Sequence, residues 1–489
     1  MSIFGGNNSP RSAPLALAVV CVAQFVVVLD VTIVTTALPA IGQALGFSDA
    51  DLQWVFTAYA LVFGALLIFG GRLADIAGRR RTFLIGLAVF GVASAGCALA
   101  WSPAALVAGR ILQGAGAALL SPAALAILTT ITEPGEHRRR AVGWWTAVAA
   151  SGGASGWVFG GLLSQYAGWR WVFAVNVPIV LAAMAIAARV LPSGRQPAEG
   201  RRLDLGGALT ATVGLGLLVY GLTSAGERGL GQITSWLPLL LAAAAVVIFV
   251  RHEGRTADPL LPLGLLRSRP VAGANLTAVA ITASTSPAMY LAVLYVQQTL
   301  GIPAGRASLL FPAVNLGVIA GSLQGPRLIT WLGARDTLVA GFGGIVLGTM
   351  VLLLLPEEGL PIIQLVAAFA VMGGGLGIAS VASTQTGTEA AAPAYRGVAS
   401  GVLNSAAQVG TAVGVALLLP LAATIGLDTM TGYRFGFIGA GVIALAGALA
   451  SLLVPAGRAI SKSPQRSEIP PAGDSEEVEN SAPVGDCKP

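Results

Sequence analysis

Lysine is almost missing from this chain. Only Lys462 and Lys488 occur, both near the C-terminus, and neither follows a glycine. A Walker A loop, G-x-x-x-x-G-K-[ST], is therefore excluded, and with it ATP hydrolysis by a P-loop of the chain's own. Cysteine is nearly as scarce. Cys21 and Cys97 lie inside apolar runs and Cys487 near the C-terminus, a spacing that suits neither a metal nor a disulfide framework. The two histidines, His137 and His252, fall in segments that read as polar loops, so no metal site is suggested. No cofactor is expected. No nucleophile–base pair stands out to mark an enzyme.

Charge is the largest deficit. Asp, Glu, Lys and Arg make up 10% of the 489 residues against 55% hydrophobic ones, whereas soluble domains carry about 25% charged residues. With a mean hydropathy of +0.79, the chain reads as a polytopic membrane protein whose main partner is the lipid bilayer. Spanning helices need about 20 mostly apolar residues. Fourteen segments qualify: 15–40, 52–71, 82–100, 103–131, 141–163, 171–191, 205–224, 235–250, 271–298, 307–331, 337–355, 361–383, 398–425 and 435–454. The first runs from Leu15 to about Pro39, longer than the 7–15 apolar residues of a signal peptide, and reads as a retained helix. Residues 456–489 are polar, Pro-rich and aperiodic, and read as a disordered cytoplasmic tail.

Arginine sets the orientation. With the N-terminus inside, the inner loops before the tail hold nineteen arginines, and the outer loops hold only Arg170, Arg228, Arg306 and Arg434. The positive-inside rule then places both termini in the cytoplasm of a cell membrane. The same rule accounts for most of the +6 net charge, so nucleic-acid binding is not needed. The arginine-for-lysine bias suggests a bacterial genome rich in GC.

An internal repeat organises the helices. Aligning "GGRLADIAGRRRTFLIG" (70–86) with "GPRLITWLGARDTLVAG" (325–341) matches seven of seventeen positions, among them Gly70/Gly325, Arg72/Arg327, Gly78/Gly333 and Gly86/Gly341. A second alignment pairs Arg138/Arg396, Gly143/Gly401, Gly152/Gly410 and Gly156/Gly414. Both imply a shift of eight helices. The expected architecture is an all-α membrane fold of two six-helix bundles, 1–192 and 271–455, separated by two extra helices in 193–270. Transporters built from such parallel halves bind substrate at the midplane between them.

Two charges break the apolar runs. Asp30, in "LDVTIVTTALP" (29–39), costs about 2.5–3.5 kcal/mol on insertion scales. Arg110, in "GRILQGAGAALLSPAA", lies roughly 10 Å from the outer end of its segment, and Asp30 about 13 Å from the end of its own, at 1.5 Å per residue. Gln113, three residues after Arg110, shares its helix face. Low dielectric favours the neutral form of an acid, so Asp30 is a candidate proton-binding site near neutral pH. A structural hydrogen-bonded Asp30 and a snorkelling Arg110 are the alternatives.

Three further motifs carry a resemblance. "GGRLADIAGRRR" (70–81) places Gly71, Asp75, Gly78, Arg79 and Arg80 in one inner loop, with Asp75 within reach of Arg79 or a helix N-terminus. A purely topogenic loop would explain the arginines alone. The full pattern closely resembles the signature loop of the major facilitator superfamily, which implies a conformational gating role. Gly143, Gly152, Gly156, Gly160 and Gly161 permit close helix packing, and their spacing resembles the antiporter motif of that superfamily. Trp157 stands where the family has proline, which puts the kink of that helix in doubt. "LDVTIVTTALP", with Thr35 for the usual asparagine, "WRWVFAVNVP" (169–178) and "RGVASGVLNSAAQVGTAVG" (396–414) are similar to the fourteen-helix drug:proton antiporters. That resemblance implies proton-driven efflux of lipophilic small molecules by a monomer, with Asp30 and Arg110 coupling the proton and Arg110, Gln113 and Gly114 forming the fourth-helix motif. An uptake symporter for a small metabolite is the alternative.

Overall fold

The computed structural model describes residues 12–133, 136–191, 204–229, 231–256, 259–261, 263–356, 361–391, 396–426 and 430–456. The proposed tail beyond 456 lies outside them. The described residues form fourteen long helices: α1 (Ser12–Leu45), α2 (Trp54–Ala77), α3 (Arg79–Ala98), α4 (Pro103–Ile131), α5 (Glu136–Tyr166), α6 (Arg170–Val190), α7 (Leu205–Arg228), α8 (Ile233–Glu253), α9 (Arg269–Leu294, extended by a π turn to Thr299), α10 (Pro312–Leu332), α11 (Ala334–Leu353), α12 (Ile362–Glu389), α13 (Arg396–Ile425) and α14 (Met430–Ala450). Thirteen are long and apolar enough to cross a membrane. The exception is α5, whose charged first turn and run of glycines dilute its apolar character.

Two expectations need correction. The first helix does not stop near Pro39 but continues to Leu45. Leu38 and Ile41 on either side of the proline are fully buried, and packing of this kind sustains a helix whose proline has removed one hydrogen bond. Asp30 therefore lies farther from the end of its helix than the expected ~13 Å, near the middle of α1. The histidines are not in loops either: His137 lies in the first turn of α5 and His252 in the last turn of α8.

Helix contacts repeat with a shift of eight. In the first half α1 packs on α4, α5 and α6, α4 lies between α2 and α3, and α3 meets α6. In the second half α9 packs on α12, α13 and α14, α12 lies between α10 and α11, and α11 meets α14. The halves meet along two seams related by the same shift, α2 with α13 and α5 with α10. The extra hairpin α7–α8 lies beside one seam, with α7 touching both α2 and α13. Its outer helix α8 exposes Leu240, Val246, Val247 and Ile248, as a lipid-facing surface should.

The matched glycines explain why the halves fold alike. Gly78 and Gly333 have φ of +96° and +91°, and each both ends one helix and begins the next. Only glycine adopts that conformation without strain. Gly152 sits on the Phe25 carbonyl of α1, where a Cβ would come within 2.7 Å, and Gly410 sits likewise on the Val279 carbonyl of α9. By contrast Gly401 has open space where its Cβ would lie. Substituting Val for Gly152 or Gly410 should therefore destabilise the protein by about 1–3 kcal/mol, the usual range for overpacking. Gly401→Ala should be neutral, and melting temperatures in detergent would show the contrast.

Candidate functional site

Asp30 is completely buried, and four other helices deliver polar groups around it. Arg110 of α4 places Nη1 2.5 Å from Asp30 Oδ2. Gln113 of α4 and Asn176 of α6 each donate a side-chain N–H to Asp30 Oδ1, at 3.1 and 2.9 Å. Arg110 is held in turn by the Val55 carbonyl of α2 at 2.7 Å and by Gln113 Oε1 at 2.8 Å. The Tyr59 ring covers its guanidinium at 4.4 Å. Gln113 also donates to Ser94 Oγ on α3 at 2.8 Å and accepts a weak contact from Cys97 Sγ at 3.4 Å. Arg110 and Gln113 act together because three residues along a helix bring both to one face.

The expected trio of Asp30, Arg110 and Gln113 is thus brought together, but its chemistry differs from that of an isolated acid. Arg110 does not snorkel; its side chain has no solvent exposure. Asp30 faces a cation and two amide donors, an arrangement that suits a carboxylate. Two buried atoms of the network, Arg110 Nη2 and Asn176 Oδ1, have no hydrogen-bond partner among the described residues. Asn176 was within a motif legible in the sequence, yet nothing there distinguished it as a ligand of Asp30. Tyr59, Ser94 and Cys97 gave no signal beyond being polar or aromatic in apolar runs.

The adjacent turn of α1 faces the other way. Val31, Thr32 and Thr35 line a cavity of about 150 Å³ between the halves. Phe56 and Trp157 complete the first half's wall; Thr285, Ser286, Met289, Tyr290, Val314 and Met372 belong to the second. No charged side chain lines it. Drug-sized ligands occupy about 300–1,000 Å³, so this cavity must widen to admit one.

A seal closes the cavity toward the face opposite the arginine-rich loops. Trp157 stacks on Phe311 with centroids 4.9 Å apart, and Phe311 packs on Phe369 at 5.1 Å. Further along the seam, Gln165 accepts a hydrogen bond from Gly305 N at 2.8 Å, and Gln297 donates to the Thr36 carbonyl at 3.0 Å. Gly156 and Gly160 seat α5 on α1, while Gly161 abuts Ala304 and Ser308. Gly143 belongs to α5, but its surroundings lie outside the described residues. Gly114 packs against the Tyr59 carbonyl on α2. Trp157 does not break α5, which is continuous; it supplies the aromatic face of the seal.

At the basic face, Asp75 and Arg79 form a half-exposed pair at 3.9 Å. Arg79 also donates to the Ala126 carbonyl and Thr130 of α4, and Arg80 to the Ala188 carbonyl of α6. Gly71 faces Pro122, and Gly78 makes the turn. Arg79 and Arg80 are thus directed onto their own half, whereas Arg72 reaches the Pro259 carbonyl beyond α8.

Residues 20–415 match the family model of the Major Facilitator Superfamily. The chain belongs to the major facilitator superfamily. It is a multi-pass membrane transporter and not an enzyme. Among similar proteins, a cephamycin export protein of Amycolatopsis lactamdurans is 39% identical over 92% of this chain and 94% of its own length. A puromycin resistance protein of Streptomyces alboniger is 40% identical over 82% of this chain and 80% of its own. Among solved structures, a POT family transporter in complex with 5-aminolevulinic acid aligns with a TM-score of 0.66 at 16% identity, covering 93% of this chain and 98% of that one. That likeness concerns the superfamily fold alone.

Removing one partner of a buried ion pair leaves an uncompensated charge, at a cost of about 3–5 kcal/mol. Arg110→Ala should therefore destabilise the transporter by that amount. The double variant Asp30→Asn with Arg110→Gln leaves no charge and should recover most of the loss. Thermal unfolding in detergent of the single and double variants measures the difference.

Proposed function

We propose that this transporter exports lipophilic small molecules from the cytoplasm in exchange for protons, with its arginine-rich face inward. The observation that carries the reading is the buried Asp30–Arg110 pair set directly behind an uncharged cavity between the two halves. The names of the similar proteins, export and resistance proteins for cephamycin and puromycin, support efflux over uptake.

The geometry supports the following cycle. A proton reaching Asp30 from outside neutralises the carboxylate, and its charge-assisted contact with Arg110 becomes an ordinary hydrogen bond. Arg110 keeps the Val55 carbonyl and Gln113, so the freed partner is α1. Arg110 Nη2 and Asn176 Oδ1 offer unused polar sites for water along a proton path. Because α5 lies backbone to backbone on α1, a shift of α1 reaches Trp157 and the seal on Phe311. One proton crossing ~100 mV supplies about 2.3 kcal/mol, roughly a fifty-fold concentration ratio.

Asp30→Asn keeps size and hydrogen bonding but cannot titrate. It should abolish gradient-driven efflux while substrate binding survives, and Asp30→Glu should retain part of the activity. Efflux from loaded cells and uptake into inverted vesicles, at equal expression, are the measurements. Near-normal gradient-dependent transport by Asp30→Asn would place the proton site elsewhere.

The uncharged cavity sets a second expectation. A dication would lack a counter-charge there, so neutral and singly charged compounds should be the better substrates. In a pump-deficient host, this gene should protect against singly charged lipophilic agents and leave sensitivity to a bis-quaternary biocide almost unchanged. Strong protection against the biocide alone would refute it.

A further inference from the structure

The hairpin α7–α8 carries a second buried acidic pair, at the basic face. Asp204 caps the N-terminus of α7, with Oδ1 accepting from Gly207 N and from His252 Nε2, both at 2.7 Å. Glu253 ends α8, with Oε2 accepting from Leu261 N at 2.9 Å. The two residues are 6% and 3% exposed. Their remaining oxygens, Asp204 Oδ2 and Glu253 Oε1, are buried and have no hydrogen-bond donor among the described residues. Both oxygens lie beside the space that a Cβ on Gly207 would fill, and the two carboxyls face each other there.

Two carboxylate oxygens cannot share a dry space while both are ionised; a proton between them turns repulsion into a strong hydrogen bond. We propose that Asp204 and Glu253 form a second proton site, a carboxyl–carboxylate pair holding one proton that clasps the hairpin to residues 259–261. Asp204 is the acceptor. Burial alone would raise its carboxyl, but the Gly207 N–H and the His252 imidazole outweigh that and hold it below the ordinary value. The proton therefore resides on Glu253.

Among the described residues the surrounding charges are few. His252 faces Asp204 from α8, and Arg251 and Arg255 point to solvent. From α2, Arg72 donates to the Pro259 carbonyl in the clasped loop. From α13, the first residue is Arg396, whose side chain lies outside the described residues. The clasp thus links the hairpin to the signature loop of α2, beside the α2–α13 seam. Loss of the proton at alkaline pH sets two carboxylates against each other and releases Leu261, and with it the strand of loop that Arg72 grips.

The test uses the full-length transporter in proteoliposomes, in an Asp30→Asn background that silences the first site. Infrared titration should show a protonated-carboxyl C=O band at neutral pH, lost on alkalinisation and absent in Glu253→Gln. In parallel, a cysteine replacing buried Leu260 reports opening by maleimide labelling, against the parent that retains only the natural cysteines. Normalised to a free thiol's own pH dependence, its rate should rise about tenfold per pH unit, as for opening limited by loss of one proton. Glu253→Gln, whose amide still donates to Asp204, should label slowly throughout. A band that survives in both Glu253→Gln and Asp204→Asn, or equal alkaline opening with and without Glu253→Gln, would overturn the proposal.

Discussion

Burying a carboxylate and a guanidinium in one membrane-embedded bundle costs several kcal/mol per ion, and attraction between them offsets this only with excellent geometry and further hydrogen bonds. Asp30 and Arg110 meet that condition by recruiting α2, α3, α4 and α6 to one point on α1. The register of every one of these helices is constrained by that point. A slip of one residue in α4 would swing Arg110 and Gln113 off the face they share, leaving Asp30 charged and unpaired. The first half is thus packed around a charge, with the Tyr59 and Phe173 rings 4.4 and 5.9 Å from the guanidinium.

The second half repeats the backbone but not the chemistry. Gly156 seats on the Leu29 carbonyl and Gly414 on that of Ala283, so Ser284 occupies the place of Asp30. Gly86 lies against Leu120 and Gly341 against Ala379, which sets Phe369 in the place of Arg110 and Met372 in that of Gln113. Ser284 bonds only carbonyls of its own helix, Phe369 packs on Phe311, and Met372 lines the cavity. A duplicated scaffold therefore holds an ion pair on one side and an apolar wall on the other. In the proposed cycle the charge would take up the proton and the wall would meet the lipophilic substrate.

Much of this was legible because it is local. A charge in an apolar run, a glycine every fourth residue and an arginine count on alternate loops each need only the chain order. Asp30, Arg110 and Gln113 announced themselves in this way, and so did the eight-helix shift. What could not be read is what the fold brings together. Asn176 is one amide among several in the sequence, and becomes a ligand of Asp30 only when α6 lies on α1. Pro39 reads as a stop because the neighbours that bury Leu38 and Ile41 are invisible from the sequence. Asp204 and Glu253 look like ordinary helix-end residues until the hairpin closes and presses both onto Gly207. Trp157 reads as a departure from a family motif, and its partner Phe311 lies in the other half.

How a proton at Asp30 could move a seal many residues away is a question of stiffness. Side chains between helices yield by changing rotamer; backbone against backbone does not. Gly152, Gly156 and Gly160 remove α5's own side chains from the α1–α5 contact, so carbonyls of Phe25, Leu29 and Ile33 and the hydroxyls of Thr32 and Thr36 bear directly on the α5 backbone. Close-packed elements of this kind respond by shifting as units rather than deforming. A displacement of α1 at Asp30 is then carried to α5 with little loss, and Trp157 leaves or meets Phe311 as α5 moves. Proline in that position would have bent α5 and absorbed part of the motion. Tryptophan leaves α5 continuous and stacks its ring on Phe311 of the other half, which ties the two halves together at that point.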